Sequence, residues 1–576
     1  MVGNGIHPAG YHVINFLLHS LNVLLAFALL RRLLRGFGLP LSIAAVWAVH
    51  PVLTESVTNI IGRADLIAGA AVLGGLLIYL RASATVGWRR VAWLCGLALT
   101  AGVGALSKES AVVLPSVILL YELTASRSLR NLSQTAIATG LPIAAALLLR
   151  ASVLAAALPA EFPYVDNPIA AADFITGRLT AIGVLARYVW LTLFPFKLSS
   201  DYSYSEIRLF QGSLLEWIAV ILIAAIAAAA ALLWNRARMA FFFLCFAFLN
   251  LLPASNLLVP TGTVMAERLV YLPALGFIAC AAILSAALIR SARPPTWFAP
   301  TICLVVVALF AVRTSVRNAD WHDDLSMALA SVRTSPNSFK VHRLLANSLL
   351  QSDPSPRDLN AVVAEADRSV AILSDVPDEL DIPGPWTDAA AFHLAKGDSS
   401  RGPESRRDYE EAVRLALRST AVEAASRAAY ERTHRTNVSA PPASAEAWRV
   451  LASSYLRLEQ PAKALPPALE GQRIDPKNIR SYGQMADAYL GLGRGEDAAT
   501  ALILGIFTTG DQSLEPDLIR VYRAGVDLDD CSVAAGPTGP VLNQHCAIVH
   551  RDYCAAAAKA GKPELIARFA CGKPVL

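Results

Sequence analysis

The sequence predicts an all-α protein: a polytopic helical membrane bundle of about ten spans followed by an α-solenoid of helical repeats. Three observations carry this. Of the 576 residues, 55% are hydrophobic and only 16% are charged, which places the chain among membrane proteins. The apolar excess is also confined, because long apolar runs alternate with short polar loops up to about Val316, and from Arg317 onward the chain reads as an Ala-rich soluble helical protein. Beyond that border, small and apolar residues recur with a period of about 34 residues, the mark of stacked helical hairpins. The expected domains are 1–316 in the membrane, 317–512 as the repeat domain and 513–576 as a Cys-containing C-terminal segment. The net charge of +5 is small, and the arginines lie in short clusters between apolar runs. There is no basic face for nucleic acid.

At about 17 to 25 apolar residues per crossing, the spans are Tyr11–Leu30, Leu39–Leu53, Ala64–Leu80, Val91–Leu106, Ser110–Thr124, Ser133–Leu154, Leu214–Trp234, Met239–Ser255, Leu269–Ile289 and Trp297–Ser315. With Met1–Gly10 outside, the clusters at Arg31, Arg32 and Arg35, at Arg81, Arg89 and Arg90, at Arg127 and Arg130, at Arg236 and Arg238, and at Arg290 and Arg293 all face the cytoplasm. His50–Asp65, Ser107–Ser110, Ala155–Gly212, Asn256–Arg268 and the repeat domain then face out. A full crossing by Arg178–Phe196 would invert everything after it, so this stretch is expected to be interfacial or re-entrant. Met1–Gly10 has neither a basic n-region nor a cleavage site. Either Tyr11–Leu30 is an uncleaved anchor or a further helix precedes it.

In the soluble part, Trp448, Leu451, Ala452, Tyr455, Ala464, Ala468 and Pro476 align with Tyr482, Met485, Ala486, Tyr489, Ala498 and Leu502 as two successive tetratricopeptide repeats. A degenerate repeat follows Ser338, with Leu345, Ala346 and Leu349 on one helix and Ala366 and Pro377 on the next. Gly384–Pro442 reads as long helices with a polar insertion around Lys396–Arg406. Cys95, Cys245, Cys280 and Cys303 lie singly in apolar runs and serve as small hydrophobes. Cys531, Cys546, Cys554 and Cys571 are expected to form two disulfides of open connectivity in an oxidising compartment. Metal ligation with His545 or His550 is the rival reading, and no CxxC pair supports it.

The outward loops gather charge. His50, Glu55, Asn59, Arg63 and Asp65 crowd one short stretch between two apolar runs, and ionisable groups at the edge of a bilayer point to function. Lys108 and Glu109 form a second group; Asp166, Arg178, Asp201 and Glu206 a third; Glu267 and Arg268, ahead of Tyr271, a fourth. A single polar loop between helices requires no function, but four with paired acids and bases on one face argue for a site. Arg63, Lys108, Arg178 and Arg268 are candidates to clamp a phosphate or pyrophosphate. Glu55, Asp65 and Asp201, with Asp166, are candidate general bases. His50, Asn59, Glu109, Asp166, Glu267 and Tyr271 are expected to line the pocket. No metal ligands are assigned, and a divalent-metal requirement stays open. His12 and His19 on the first span suit helix–helix contact better than metal binding.

His50-Pro-Val-Leu-Thr-Glu55, Asn59-Ile-Ile-Gly-Arg63-Ala-Asp65, Lys108-Glu109 and Glu267-Arg268-Leu-Val-Tyr271-Leu-Pro273 occur in this order ahead of the repeats. The set resembles the transmembrane and tetratricopeptide-repeat-containing O-mannosyltransferases and their bacterial relatives, over about residues 5–510. The resemblance implies a type C glycosyltransferase fold in a multi-pass membrane protein, for a bacterial chain in the inner membrane, with its site on the extracytoplasmic side. It implies a polyprenyl-phosphate-linked sugar as donor and a protein or glycan acceptor, with mannose transfer to Ser or Thr in the animal members. The implied partners are the bilayer, the donor lipid and a protein at the repeats. Enzymes of this type carry an acidic catalytic residue in the first outer loop, which here corresponds to Met1–Gly10, a stretch without Asp or Glu. Either that carboxylate lies ahead of Met1, or Glu55 or Asp65 serves. The alternative from another class is a non-catalytic membrane-anchored scaffold whose repeats bind proteins. A transporter is disfavoured, because the charges gather at one face and not midway through the spans.

Overall fold

In the computed structural model the described residues are 8–126, 132–155, 162–352, 358–433, 443–514, 516–518, 520–521, 534–536, 539–541, 554–555 and 558–559. They are almost entirely helical; the one strand pairing among them is the short antiparallel pair Ala534–Gly536 and Gly539–Val541. The chain forms two compact units, Met1–Ser352 and Asp353–Leu576.

In the first unit the helices are α1 (Ala9–Leu33), α2 (Gly38–Ala48), α3 (Thr54–Thr58), α4 (Arg63–Ser83), α5 (Gly87–Ser107), α6 (Leu114–Tyr121), α7 (Leu132–Leu154), α8 (Phe174–Leu193), α9 (Leu214–Arg236), α10 (Arg238–Leu251), α11 (Tyr271–Ala292), α12 (Phe298–Asp320), α13 (Asp324–Thr334) and α14 (Phe339–Gln351). Among the described residues, eight helices are long and apolar enough to cross a membrane, and α2 with the segment Pro51–Thr58, bent by 49°, makes a ninth if the pair is one span. Two expected spans are shorter than the apolar runs suggested. Ser110–Thr124 is divided among a 3-10 turn, α6 and a π turn at Glu122–Ser126, and Met239–Ser255 becomes α10 plus a 3-10 turn. Conversely α8, expected at the interface, is itself long and apolar enough to cross.

Packing follows from small residues and from a polar seam. An added Cβ at Gly276 would stand 2.5 Å from the carbonyl oxygen of Phe243, so the absence of a side chain there lets α10 and α11 touch backbone to backbone. Asn15, His19 and Asn22 follow helical spacing down one buried face of α1. Asn15 donates to the carbonyls of Val57 (3.2 Å) and Asn59 (2.9 Å), Asn22 donates to that of Leu66 (2.8 Å), and the two nitrogens of His19 meet Ala48 O (3.0 Å) and the Tyr271 hydroxyl (2.9 Å). His19 thus makes the helix–helix contact that was expected of it. Trp47, Tyr188, Tyr271, Phe242, Phe243 and Phe246 fill the core between α2, α8, α10 and α11. By contrast α9 buries no residue, and α12 buries only Arg317, which leaves their apolar surfaces for lipid.

The second unit is a helical-repeat region: α15 (Leu359–Leu373), α16 (Pro383–Ser399), α17 (Pro403–Thr433), α18 (Glu446–Arg457), α19 (Pro461–Ile474), α20 (Ile479–Gly491) and α21 (Gly495–Thr509). Ala452, Ala464, Ala468, Ala486 and Ala498 are buried where the hairpins α18–α19 and α20–α21 meet. Cys531, Cys546 and Cys571 lie outside the described residues; Cys554 is not among the free cysteines, whereas Cys95, Cys245, Cys280 and Cys303 are.

Candidate functional site

The break after α2 is made by His50 and Pro51. Proline starts a new turn readily but cannot continue the old one, and His50 caps that turn, its Nδ1 accepting from Val52 N at 3.3 Å. The His50 Nε2 meets Thr192 O at 2.9 Å, and its ring packs edge-on against Phe310 at 4.7 Å. The short α3 then carries Glu55 inward to 2% exposure. Asn59 ends α3 and caps the next turn, its side chain accepting from Ile61 N at 3.0 Å. Gly62 closes the stretch, and only glycine fits, since a Cβ would lie 2.1 Å from the Ser56 carbonyl oxygen. Arg63 opens α4 and reaches Asn15 Oδ1 (3.3 Å) and Tyr11 O (3.4 Å) over the Tyr11 ring. Asp65 lies in the first turn of α4, where the helix dipole favours a carboxylate.

Two ion pairs meet here. Arg268, from the 3-10 turn Glu267–Val270, gives Nη1 to Glu55 Oε1 at 2.6 Å and its backbone N–H to Glu55 Oε2 at 2.9 Å. Lys108, in extended conformation at the end of α5, places Nζ 2.5 Å from Asp65 Oδ1. Asp65 and Arg268 line one cavity of about 30 Å³ together with Ser110, Asn250, Ala254 and Tyr271. The cations keep partial access, with side chains 36% exposed for Arg268 and 21% for Lys108. Each cation is thus paired with a carboxylate while keeping part of its surface open.

The other expected residues are placed differently. Glu109 turns away and pairs with Arg150 at the end of α7. Tyr271 is buried, its hydroxyl bonded to His19 and Asn22 and its carbonyl to Trp47 Nε1, so it braces the cavity. Arg178 is engaged in donating to the carbonyls of Asn256 (3.0 Å) and Leu258 (3.3 Å). Asp166 pairs with Lys340 of α14 at 2.6 Å. Asp201 Oδ2 accepts from Ser203 N (2.9 Å), Ser203 Oγ (2.5 Å) and Ser338 Oγ (2.6 Å). Arg178, Asp166 and Asp201 thus belong to a second polar group, which joins the first through Glu267. Glu267 is fully buried, Oε1 accepting from Ser199 N and the Tyr202 hydroxyl, each at 2.6 Å, with Oε2 3.7 Å from Arg317 Nη2. Burial first, and then the Glu267 charge, push the Tyr202 hydroxyl well above its usual range, so it stays a donor. Sequence reasoning missed Tyr202 and Arg317. The signal for Arg317 was present: Arg313 and Arg317 lie one helical turn apart at the end of the last span opposite the Arg290–Arg293 cluster.

A second, larger cavity of about 610 Å³ opens among α6, α8, α9 and α10, and its lining is almost wholly apolar, including Leu119, Leu185, Ile226, Ala230, Cys245 and Leu252. The two cavities share the end of α10: Asn250 and Ala254 face the charged one, Leu249 and Leu252 the apolar one.

The fold and site define a multi-pass helical membrane protein with a charged site of paired acids and bases near an apolar cavity. No family model matches the chain. It is 26% identical over 416 residues to Protein O-mannosyl-transferase Tmtc3 of Drosophila melanogaster (60% of this chain, 44% of that protein) and 26% identical over 377 residues to Protein O-mannosyl-transferase TMTC3 of Homo sapiens (60% and 40%). It is 31% identical over 230 residues to Protein O-mannosyl-transferase TMTC2 of Homo sapiens (37% and 27%). The chain is similar to these protein O-mannosyl-transferases and spans about half the length or less of these curated relatives.

Proposed function

We propose that the chain is a membrane glycosyltransferase that moves a sugar, mannose by analogy with its relatives' names, from a polyprenyl-phosphate donor to a hydroxyl of a protein acceptor. The observation that carries the proposal is that two separate cavities flank the end of α10, a charged one lined by Asp65 and Arg268 and an apolar one of about 610 Å³. A lipid-linked phosphate needs both. The apolar cavity takes part of the polyprenyl tail, and Arg268 and Lys108 receive the phosphate. Asp65 lines the charged cavity with one oxygen held by Lys108, whereas both oxygens of Glu55 are held by Arg268 and Asp201 is occupied by Ser203 of its loop and Ser338 ahead of α14. Asp65 is therefore the carboxylate best placed to act as base.

In this reading the acceptor hydroxyl loses its proton to the Asp65 carboxylate and its oxygen bonds to the anomeric carbon. The bond from that carbon to the phosphate oxygen breaks, and the negative charge left on the polyprenyl phosphate is balanced by Lys108 and Arg268. With α8 at the interface, the arginine-rich loops favour an extracytoplasmic site and second unit. The hairpins of the second unit, read as tetratricopeptide repeats, offer a surface for the acceptor or a partner protein.

The test is transfer from polyprenyl-phosphate mannose to a Ser/Thr peptide by the reconstituted chain. Asp65→Asn lowers kcat by about 100-fold or more, and Arg268→Ala and Lys108→Ala raise the donor KM. A wild-type chain that consumes no donor, or variants that transfer as wild type does, would defeat the proposal.

A further inference from the structure

Glu267 is the point at which three parts of the first unit meet: the loop 199–206, the end of the last span and the turn that presents Arg268. The loop contributes Ser199 N and the Tyr202 hydroxyl, both 2.6 Å from Glu267 Oε1. The span contributes Arg317, 1% exposed, whose Nη2 stands 3.7 Å from Oε2 and whose Nη1 stands 3.2 Å from Asp320. Glu267 and Arg268 share a four-residue 3-10 turn, so a shift of one backbone moves the other. The Arg268 N–H is itself bonded to Glu55. Whatever fixes Glu267 thus fixes the angle at which Arg268 enters the charged cavity.

The loop 199–206 forms no helix or strand of its own, and it is also held by the hairpin α13–α14. Ser200 N and Oγ meet Ser331 Oγ at 3.3 and 2.8 Å, and Asp201 receives the Ser338 hydroxyl at 2.6 Å. The backbones join as well, Ser205 N donating to Asn337 O at 2.8 Å and Phe339 N to Tyr204 O at 3.1 Å. Lys340 adds its ion pair to Asp166 in the neighbouring loop. A mere linker between a membrane bundle and a soluble region needs none of this. Polar contacts so numerous at one short loop act together to fix its conformation.

We infer that the hairpin α13–α14 is a working part of the site: it clamps the loop 199–206, which through Ser199 and Tyr202 sets Glu267 and hence Arg268. Ser338, Asp201, Tyr202 and Arg317 are accordingly positioning residues. They touch neither donor nor acceptor, and they act on the phosphate-binding arginine through Glu267. The consequence for catalysis rests on the transferase reading above; the mechanical coupling does not.

The experiment is hydrogen exchange on the full chain in lipid nanodiscs, paired with transfer kinetics using polyprenyl-phosphate mannose. Tyr202→Phe removes one hydroxyl and keeps the ring; Ser338→Ala frees Asp201, and Ser338→Thr restores a hydroxyl there. The expected result is exchange across 266–270 faster by about tenfold in Tyr202→Phe and Ser338→Ala, unchanged across 446–509, and returned toward wild type in Ser338→Thr. Donor KM rises in parallel while acceptor KM holds, a split that general destabilisation would not give. Exchange across 266–270 that stays at the wild-type rate in Tyr202→Phe overturns the inference, and that variant decides even if Ser338→Ala fails to fold. Coupled exchange in a chain that moves no sugar leaves the inference standing and removes the transferase reading instead.

Discussion

Gly62→Ala tests the geometry of the opening stretch most directly. The new Cβ would lie 2.1 Å from the Ser56 carbonyl oxygen and 2.7 Å from its carbon, where ordinary contact begins near 3.4 Å. The obstacle is backbone, so no rotamer relieves it, and the two segments must part by about 1.3 Å. Ser56 follows Glu55 and Gly62 precedes Arg63, so the displacement falls between the two ion pairs that make the site. Overpacking of this kind costs about 1–3 kcal/mol or more. A misplacement of about 1 Å near reacting groups costs on the order of 100-fold in rate. The companion is Gly74→Ala in the middle of α4, where the nearest atom to the new Cβ is Leu25 Cδ1 at 3.9 Å; it should be neutral or stabilising by up to about 1 kcal/mol. The assay is thermal melting in detergent micelles beside transfer at saturating donor. A Gly62→Ala chain that melts and transfers like wild type would refute the close approach of these segments, and with it the site.

Three further expectations bear on separate parts of the molecule. Ala230→Phe fills the apolar cavity and should raise the KM for a long-chain polyprenyl donor by about tenfold while sparing a donor with a short tail, since each buried methylene is worth about 0.8 kcal/mol; equal effects on both donors would place the tail elsewhere. Glu55→Ala strands the Arg268 guanidinium and its N–H and should cost about 3 kcal/mol, the lower end for a broken buried pair because a third of Arg268 reaches solvent, while Glu55→Gln keeps one acceptor and should melt between it and wild type. In the second unit His393 links Asp367 (3.0 Å) and Asp408 (3.2 Å) across three helices. Burial lowers the affinity of His393 for a proton, but the bonds and charges of the two carboxylates outweigh that and raise its pKa above the usual imidazole value. Its contribution is therefore complete below about pH 6.5 and is lost as pH rises through the folded value. The melting difference between wild type and His393→Gln should shrink from about pH 6 to about pH 9, and a difference that grows with pH would contradict the assignment.

The large divisions of the molecule were legible because they rest on averages. Apolar run length announces α1, α4, α5, α7, α9, α11 and α12, and the spacing of Ala452, Ala464, Ala486 and Ala498 announces the paired hairpins. Where an apolar run is buried by protein and not by lipid, the same signal misleads. Ser110–Thr124 and Met239–Ser255 are short broken helices packed beside the site, and hydropathy does not distinguish the two solvents. At the site, the sequence brought together Glu55, Asp65, Lys108 and Arg268 because buried charge of both signs stands out against apolar neighbours. It did not separate Arg178 and Asp201 from them. Their partners are backbone carbonyls and serine hydroxyls, which carry no mark in composition, so a bracing residue looks the same as a reactive one. Tyr202 was hidden for that reason too: its role depends on Glu267, distant in the chain.

The last span, α12, divides into stretches governed by different rules. Along its length it buries only Arg317, yet its final turns hold Thr314 to Val49 O at 2.7 Å, Asn318 to Thr58 at 2.9 Å, and Arg317 to Glu267. From Phe298 to about Leu309 the helix needs only to be oily and long enough, and a reshuffled order of the same residues should serve equally well. From Phe310 to Asp320 specific partners take over: Phe310, Arg313, Thr314, Arg317 and Asn318 each meet another segment, while Val312 and Val316 stay exposed. A chimaera that imports an unrelated span should therefore work if its junction falls before Phe310, and fail if it falls one helical turn later.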